Sequence, residues 1–313
     1  MLPPWGPDDS GVRSLAVMSD VHCNLTALQA CLADLEGLRQ AHGHSYELAF
    51  LGDVVDTGPS PVATLDLAVA ASSCHIRGNH EVYLSECARG LFRKKYASRH
   101  WRYVPWTLAQ LGEDRFSSYE RLLRDECHVC DGRVRYVHAS PDSCDKPPAF
   151  FGYDAAAWHH EVSWTGRFRR ATFCGHTHLG AVYERPDGEV WVNTGSVGYP
   201  FLGKNADESY RPYASYVLGL VHEKLGQLYV RIRRVPYDRE GLLGEYARAD
   251  VLRECAPFSR AVFLQSVLNR SVVYQAIRTA RKLGVQPEAD GVFLEKYLQQ
   301  EGLEDELGKI LSM

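Results

Sequence analysis

The sequence predicts an α/β fold, and three observations carry the prediction. Apolar runs alternate with helical repeats three times between residues 14 and 85. Each of those runs ends in a cluster of Asp, Asn or His. Farther along, apolar stretches alternate around turns in the manner of antiparallel strands.

Ser14–Ser19 has the length and composition of a buried strand. It delivers Asp20, His22 and Asn24, after which Leu25, Leu28, Leu32 and Leu35 recur at helical spacing, with Asn24 placed as the cap. Glu47–Leu51 is a second strand and delivers Gly52, Asp53 and Asp56 ahead of a helix over Val62–Ala71. Cys74–Ile76 is a third and delivers Gly78-Asn79-His80-Glu81. In such sheets, ligands gather beyond the carboxyl ends of the strands.

Residues 82–125 read as an inserted helical cap. Val134–Val137 then delivers His138, and Ala171–Cys174 delivers Gly175-His176-Thr177-His178. Val182–Glu184, Val190–Asn193, Tyr213–Leu220 and Leu228–Val235 predict an antiparallel meander around turns such as Pro186-Asp187-Gly188. Beyond Pro236 the apolar residues fall at helical spacing. The expected division is therefore a main unit over 13–238 and a helical extension over 239–313.

Of the 313 residues, 45% are apolar and 24% charged, which excludes disordered, collagenous and coiled-coil classes. A net charge of −4 supplies no global field for nucleic acid, so any basic surface has to be local. Met1–Val12 has no apolar run of the signal-peptide kind. No stretch reaches the roughly 20 apolar residues of a membrane span. With nine cysteines, an odd number, the expectation is a cytoplasmic protein with reduced thiols and no membrane partner. Cys127-x-x-Cys130 is a lone pair, which does not make a zinc site.

Thirteen histidines is the unusual count, and the chemistry lies in those at strand ends. The clusters are Asp20/His22, Asp53/Asp56, Asn79/His80, His138 and His176/His178. Residues two apart on an extended segment share a face. Carboxylates, imidazoles and one amide, without thiolate, suit a borderline-to-hard divalent ion, Mn²⁺ ahead of Fe²⁺ or Zn²⁺. Asp20, His22, Asp53, Asn79, His138, His176 and His178 make seven candidate ligands, more than one ion takes. Two ions roughly 3.5–4 Å apart and sharing one carboxylate would use them all. A single polar residue at a strand end is an ordinary cap; five such clusters are not.

These blocks, in this order, resemble those of the calcineurin-like metallophosphoesterases over about Leu15 to Asp238. Asn193-Thr-Gly-Ser-Val-Gly198 and Arg234-Val-Pro-Tyr-Asp238 further resemble the small, mostly prokaryotic branch related to phosphodiesterases and dinucleotide polyphosphate hydrolases. The resemblance implies a four-layer α/β/β/α sandwich of two mixed sheets, with the helical cap inserted and the C-terminal helical extension outside it. It also implies roles. Asp20, His22, Asp53 and His178 would hold one metal, and Asp53, Asn79, His138 and His176 the other, with Asp53 bridging. His80 would be the catalytic acid facing the scissile oxygen, oriented by Asp56. The implied reaction is hydrolysis of a phosphate ester by hydroxide generated between two divalent ions.

One position departs from the pattern. The protein Ser/Thr phosphatases of this superfamily carry an Arg directly after the second Asp of Gly-Asp-x-x-Asp, where this chain has Thr57. Without that guanidinium, a small phosphodiester or nucleotide anhydride is the expected substrate. A phosphomonoesterase or protein Ser/Thr phosphatase is the alternative, with a nuclease or a non-catalytic binding scaffold further off. Arg89–Arg102 interleaves six Lys/Arg with Phe92, Tyr96 and Trp101. That composition suits a nucleotide, but a cap helix with a solvated face is the expected reading. Arg167–Arg170, Trp158-His159-His160, His42, His44, His100, His128 and His222 are expected at the surface or in packing roles. A nucleic-acid partner and the oligomeric state are left open.

Overall fold

The computed structural model describes residues 5, 9–151, 163–201, 212–268, 270–285 and 292–312. The first third of the chain follows its periodicity: β1 (Val12–Met18), α1 (Leu25–His42), β2 (Tyr46–Phe50), α2 (Pro61–Ala71) and β3 (Cys74–Ile76). β1 pairs in parallel with β2, and β2 with β3. Asn24 caps α1, its side-chain oxygen accepting from the Ala27 N–H at 3.0 Å. The same amide donates to the Gly198 carbonyl at 2.9 Å, tying the cap to a loop far along the chain.

The inserted helical region is a long crossover within the sheet. It contains α3 (Asn79–Ala88), α4 (Arg93–Ala97), α5 (Tyr103–Leu111) and α6 (Glu113–Glu120), and ends in β4 (Leu123–Arg124), which pairs in parallel with β3. There follow β5 (Cys127–Val129), β6 (Val134–Tyr136), β7 (Ser163–Arg167), β8 (Arg170–Cys174), β9 (Gly180–Glu184), β10 (Glu189–Thr194), β11 (Tyr213–His222) and β12 (Gln227–Pro236).

These strands form two mixed sheets, ordered β4-β3-β2-β1-β11-β12-β7 and β5-β6-β8-β10-β9. Alternation along β1 builds two cores at once. Leu15 and Val17 join Phe173, Val192 and Val217 between the sheets, whereas Ala16 and Met18 join Leu28, Leu65 and Leu218 under the helices. The outer face of the smaller sheet packs Trp191 and Ala181 against Phe151, in a turn over Ala149–Phe151. The layers are those of an α/β/β/α sandwich. The four later strands are not one meander, however. The β9–β10 hairpin lies in the smaller sheet and the β11–β12 hairpin in the larger. Alternation reports a hairpin but carries no information about which sheet receives it.

The C-terminal helices are α7 (Arg239–Arg248), α8 (Val251–Glu254), α9 (Phe258–Leu268), α10 (Val272–Lys282), α11 (Val292–Gln300) and α12 (Leu303–Leu311). Their apolar stripes do find burial: Leu242, Tyr246, Phe263, Leu298 and Leu307 belong to the same core as α1 and α2. Glu245 on α7 accepts from the Thr26 N–H at 2.8 Å, from the Thr26 hydroxyl, and from Ser60 Oγ at 2.6 Å, thereby joining the starts of α1 and α2. Among the described residues, no helix is long and apolar enough to cross a membrane.

Replacing Asn24 by Ala removes both the cap and the bond to Gly198. The expected loss is about 1–2 kcal/mol in denaturant unfolding; an unchanged midpoint would show that the cap contributes nothing.

Candidate metal centre

The loops after β1, β2, β6 and β8 and the start of α3 open at one edge of the sandwich, where the backbone pairing continues past the strands. Asp20 N–H donates to the Gly52 carbonyl at 3.0 Å, His22 N–H to Asp53 at 2.9 Å, and Gly175 N–H to His138 at 2.7 Å. The local conformation is not the extended one that the spacing of Asp20/His22 and His176/His178 predicts. Asp20, His22, Asp53, Asp56, His176 and His178 have φ of 55°, 49°, 52°, 79°, 67° and 61°, all in the left-handed region. Each such residue costs on the order of 1 kcal/mol or more, so the surrounding fold has to impose it. Close approach is part of that imposition. A Cβ on Gly175 would stand 2.0 Å from Ser19 Oγ, and one on Gly78 would stand 2.1 Å from Asp53 Oδ1.

The result is a convergence of buried ligand atoms. Asp20 Oδ1 lies 3.2 Å from His178 Nε2 and 3.9 Å from His22 Nε2, and those two nitrogens are 3.2 Å apart. Asp53 Oδ2 lies 3.2 Å from His138 Nε2 and 3.7 Å from His22 Nε2. Asn79 Oδ1 is 3.0 Å from His138 Nε2 and 2.9 Å from His176 Nδ1. Asp20/His22/His178, His22/Asp53/His80 and Asp53/His138/His176 are each groups able to hold an ion, their ligand atoms within 4.8 Å of one another.

The donor set fits cations. Asp20 Oδ1 is buried with no hydrogen-bond partner among the described residues. His138 and His178 use Nδ1–H to donate to the carbonyls of Leu51 (2.6 Å) and Tyr199 (3.0 Å), which turns the Nε2 atoms toward the carboxylates. Without a cation, protons fill the role. Burial opposes a charge on His138, but the charge of Asp53 and the bond to it prevail and push His138 up to about 10. Burial holds His176 down to about 4 and His22 well below the usual histidine range.

His80, a member of one of these groups, also pairs with Asp56. His80 Nδ1–H donates to Asp56 Oδ2 at 3.0 Å, and the other Asp56 oxygen accepts from Thr107 Oγ1 at 2.9 Å. Burial opposes a charge on His80, but Asp53 and Asp56 outweigh it and hold His80 above the usual range.

Three supporting residues escape sequence reading. Glu81, fully buried, accepts from the N–H groups of Asp53 (2.8 Å), Val54 (2.9 Å) and Gly78 (2.9 Å) and so shapes the loop that presents Asp53. Burial and the charge of Asp53 push its carboxyl up to about 7. A Glu in the third position of a helix, reaching back to the cap residue, is the signal that would have found it. Thr107 and Tyr199 have no such local signature.

The remaining sequence candidates lie elsewhere. In the 89–102 segment, Tyr96 and Trp101 are buried and Lys95 Nζ sits 4.1 Å over the Trp101 ring. Arg89 pairs with Glu120, and Arg99 with Glu295. Arg167, Arg169 and Arg170 are exposed. Cys127, Cys130, His42, His44, His100, His128 and His222 join no ligand group among the described residues. Trp158-His159-His160 lies outside the described residues.

Sheets of this kind with two adjacent clusters of imidazole and carboxylate at their strand ends define a metal-dependent phosphoesterase-type hydrolase with a binuclear divalent-metal site. A family model for the calcineurin-like phosphoesterases matches residues 13–180, and the chain belongs to that family. It is 27% identical over 242 residues to an uncharacterized protein of Methanocaldococcus jannaschii, covering 72% of this chain and 88% of the relative. Two crystal structures share the fold. A metallophosphoesterase from Sphaerobacter thermophilus has a TM-score of 0.52 at 23% identity, covering 75% of this chain and 93% of that one. A hypothetical protein from Pyrococcus horikoshii OT3 has a TM-score of 0.56 at 17% identity, covering 80% and 97%.

Glu81→Gln would turn an amide N–H₂ toward backbone N–H donors. Stability is expected to fall by about 2 kcal/mol or more in denaturant unfolding, and a loss under about 0.5 kcal/mol, the range of a neutral surface change, would contradict this role.

Proposed function

We propose that the protein hydrolyses a small phosphodiester or a nucleotide anhydride with two divalent ions, Mn²⁺ first among them. The observation that carries the proposal is the juxtaposition of the buried ligand groups with the His80–Asp56 pair. Asp20, His22, Asp53 and His178 would hold one ion, and Asp53, Asn79, His138 and His176 the other. Bound ions supply neutralisation of phosphoryl oxygens and a water of lowered pKa.

The chain's own residues do the rest. Leu51 and Tyr199 fix the tautomers of His138 and His178. Asp56, steadied by Thr107, occupies His80 Nδ1 and favours the charged ring. That leaves the proton on Nε2 to pass to the departing alkoxide. Thr57, buried beside Asp56, brings no guanidinium to grip a phosphomonoester, which supports diesters or anhydrides. The Asn193–Gly198 block, whose sequence resembles the small prokaryotic branch, braces ligand loops. Asn193 Nδ2 donates to the Gly175 carbonyl at 2.7 Å, and Gly198 N–H to the Asp20 carbonyl at 2.9 Å. In this reading 13–238 is the catalytic unit, with 82–125 inserted and 239–313 appended. Nine free cysteines support a cytoplasmic setting.

With Mn²⁺ present, a panel of aryl diesters, cyclic nucleotides, dinucleotide polyphosphates, phosphopeptides and single-stranded DNA should show turnover of a diester or anhydride. Turnover of phosphopeptides alone would move the reading to the phosphatase alternative, and no turnover of any of them with two ions bound would overturn it. On the substrate found, His80→Ala is expected to lower kcat by about 10²–10⁴-fold with metal content unchanged; full activity would remove the acid from His80.

Metal affinity should depend on pH in a stated direction. His138 keeps its proton up to about 10 in the metal-free site, and an ion at Nε2 must expel it, whereas His176 at about 4 has none to give. Below pH 10, therefore, the ion at His138 should bind about tenfold more tightly per pH unit gained. Calorimetric titration with Mn²⁺ at pH 7 and 8 checks this, and a flat affinity would contradict it.

A further inference from the structure

Gln265 is a polar residue buried on α9, as are Ser259 and Ser266. On α9 its neighbours Val262, Phe263, Leu264 and Val267 are core residues, and Gln265 itself is only 2% exposed. A buried amide is costly unless its hydrogen bonds are made. Three hydrogen bonds join this side chain to backbone. Nε2 donates to the carbonyls of Tyr199 (3.1 Å) and Pro200 (3.4 Å), and Oε1 accepts from the Val273 N–H at the start of α10 (3.0 Å).

The Tyr199 carbonyl is also the acceptor for His178 Nδ1–H at 3.0 Å. One oxygen therefore accepts hydrogen bonds from both the imidazole and Gln265. The same segment contacts the site through its rings. Tyr199 lies 4.4 Å from His178 and 4.7 Å from His22, and Phe201 stacks on His178 at 5.0 Å. Phe201 in turn meets Tyr274 of α10 at 5.7 Å. Helices α9 and α10 thus hold the loop that orients His178, although both lie well outside the 13–180 region matched by the family model.

We propose that Gln265 is a positioning residue of the metal centre. By fixing the Tyr199 carbonyl it keeps His178 in the Nδ1–H tautomer with Nε2 free toward Asp20, so that the C-terminal extension supports one ion of the pair and not the other. The inference rests on the reading of His178 as a metal ligand. Direct partners of a ligating imidazole change metal affinity about 10–100-fold. Gln265 acts one bond farther out, and the expected effect is about threefold to tenfold.

The test is calorimetric titration of the EDTA-stripped, full-length protein with Mn²⁺, comparing the wild type with Gln265→Leu after circular dichroism has shown both to be folded. The result expected is two ions in the wild type, and in the variant one ion weakened about threefold to tenfold with the other unchanged. Two unchanged affinities, or equal weakening of both ions, would overturn the proposal. Gln265→Glu keeps the acceptor for Val273 and loses both donors, so it repeats the test with the same outcomes should the leucine variant not fold. A wild type that binds no Mn²⁺ would instead overturn the metal reading beneath it.

Discussion

Asp20 and Asp53 are 0% and 1% exposed, and their carboxylates sit among imidazoles that are nearly as buried. Two anions so placed repel each other and have lost most of their water, so positive charge has to enter the site as protons or as metal ions. The neighbouring structure follows from that requirement. The left-handed backbone at six of the site residues turns the side chains inward. Gly78 and Gly175 leave room where a methyl group would collide. Glu81 and the Leu51 and Tyr199 carbonyls then hold the loop and the rings in place.

Much of this architecture is legible in the sequence because each site residue follows an apolar run. The run identifies a strand, its end identifies the edge of a sheet, and polar residues repeated at several such ends identify a shared location. The helix start at Asn24 and the burial of the C-terminal stripes are legible for similarly local reasons, namely cap chemistry and period. The chain does not announce its long-range assignments. Alternation in 180–236 marks the strands but reads as one meander, where the fold has two hairpins divided between two sheets. Spacing of two brings Asp20 toward His22 through left-handed turns, not through the pleat the spacing suggests.

The supporting residues were hidden for a related reason. Glu81 reads as one more acidic residue at the start of a helix, and Gln265 as one of several polar residues on α9. Glu81 has a local cap signal in its bond to Gly78, but the bond of Glu81 to Asp53 and that of Gln265 to Tyr199 join partners distant in the chain. The basic and aromatic residues of 89–102 show the converse. Their composition suits a nucleotide as well as a cap helix with a solvated face; in the fold Trp101 and Tyr96 are core and Lys95 lies over a ring, while Phe92 is exposed.

The central claim is that one buried carboxylate, Asp53, serves two ions at once. Metal content per chain, measured after reconstitution with Mn²⁺ and removal of excess, tests it directly in the wild type and in Asp53→Asn. The account predicts two ions in the wild type and the loss of both from the variant, because Asp53 Oδ2 faces both His22 and His138. Two ions retained by Asp53→Asn would contradict it.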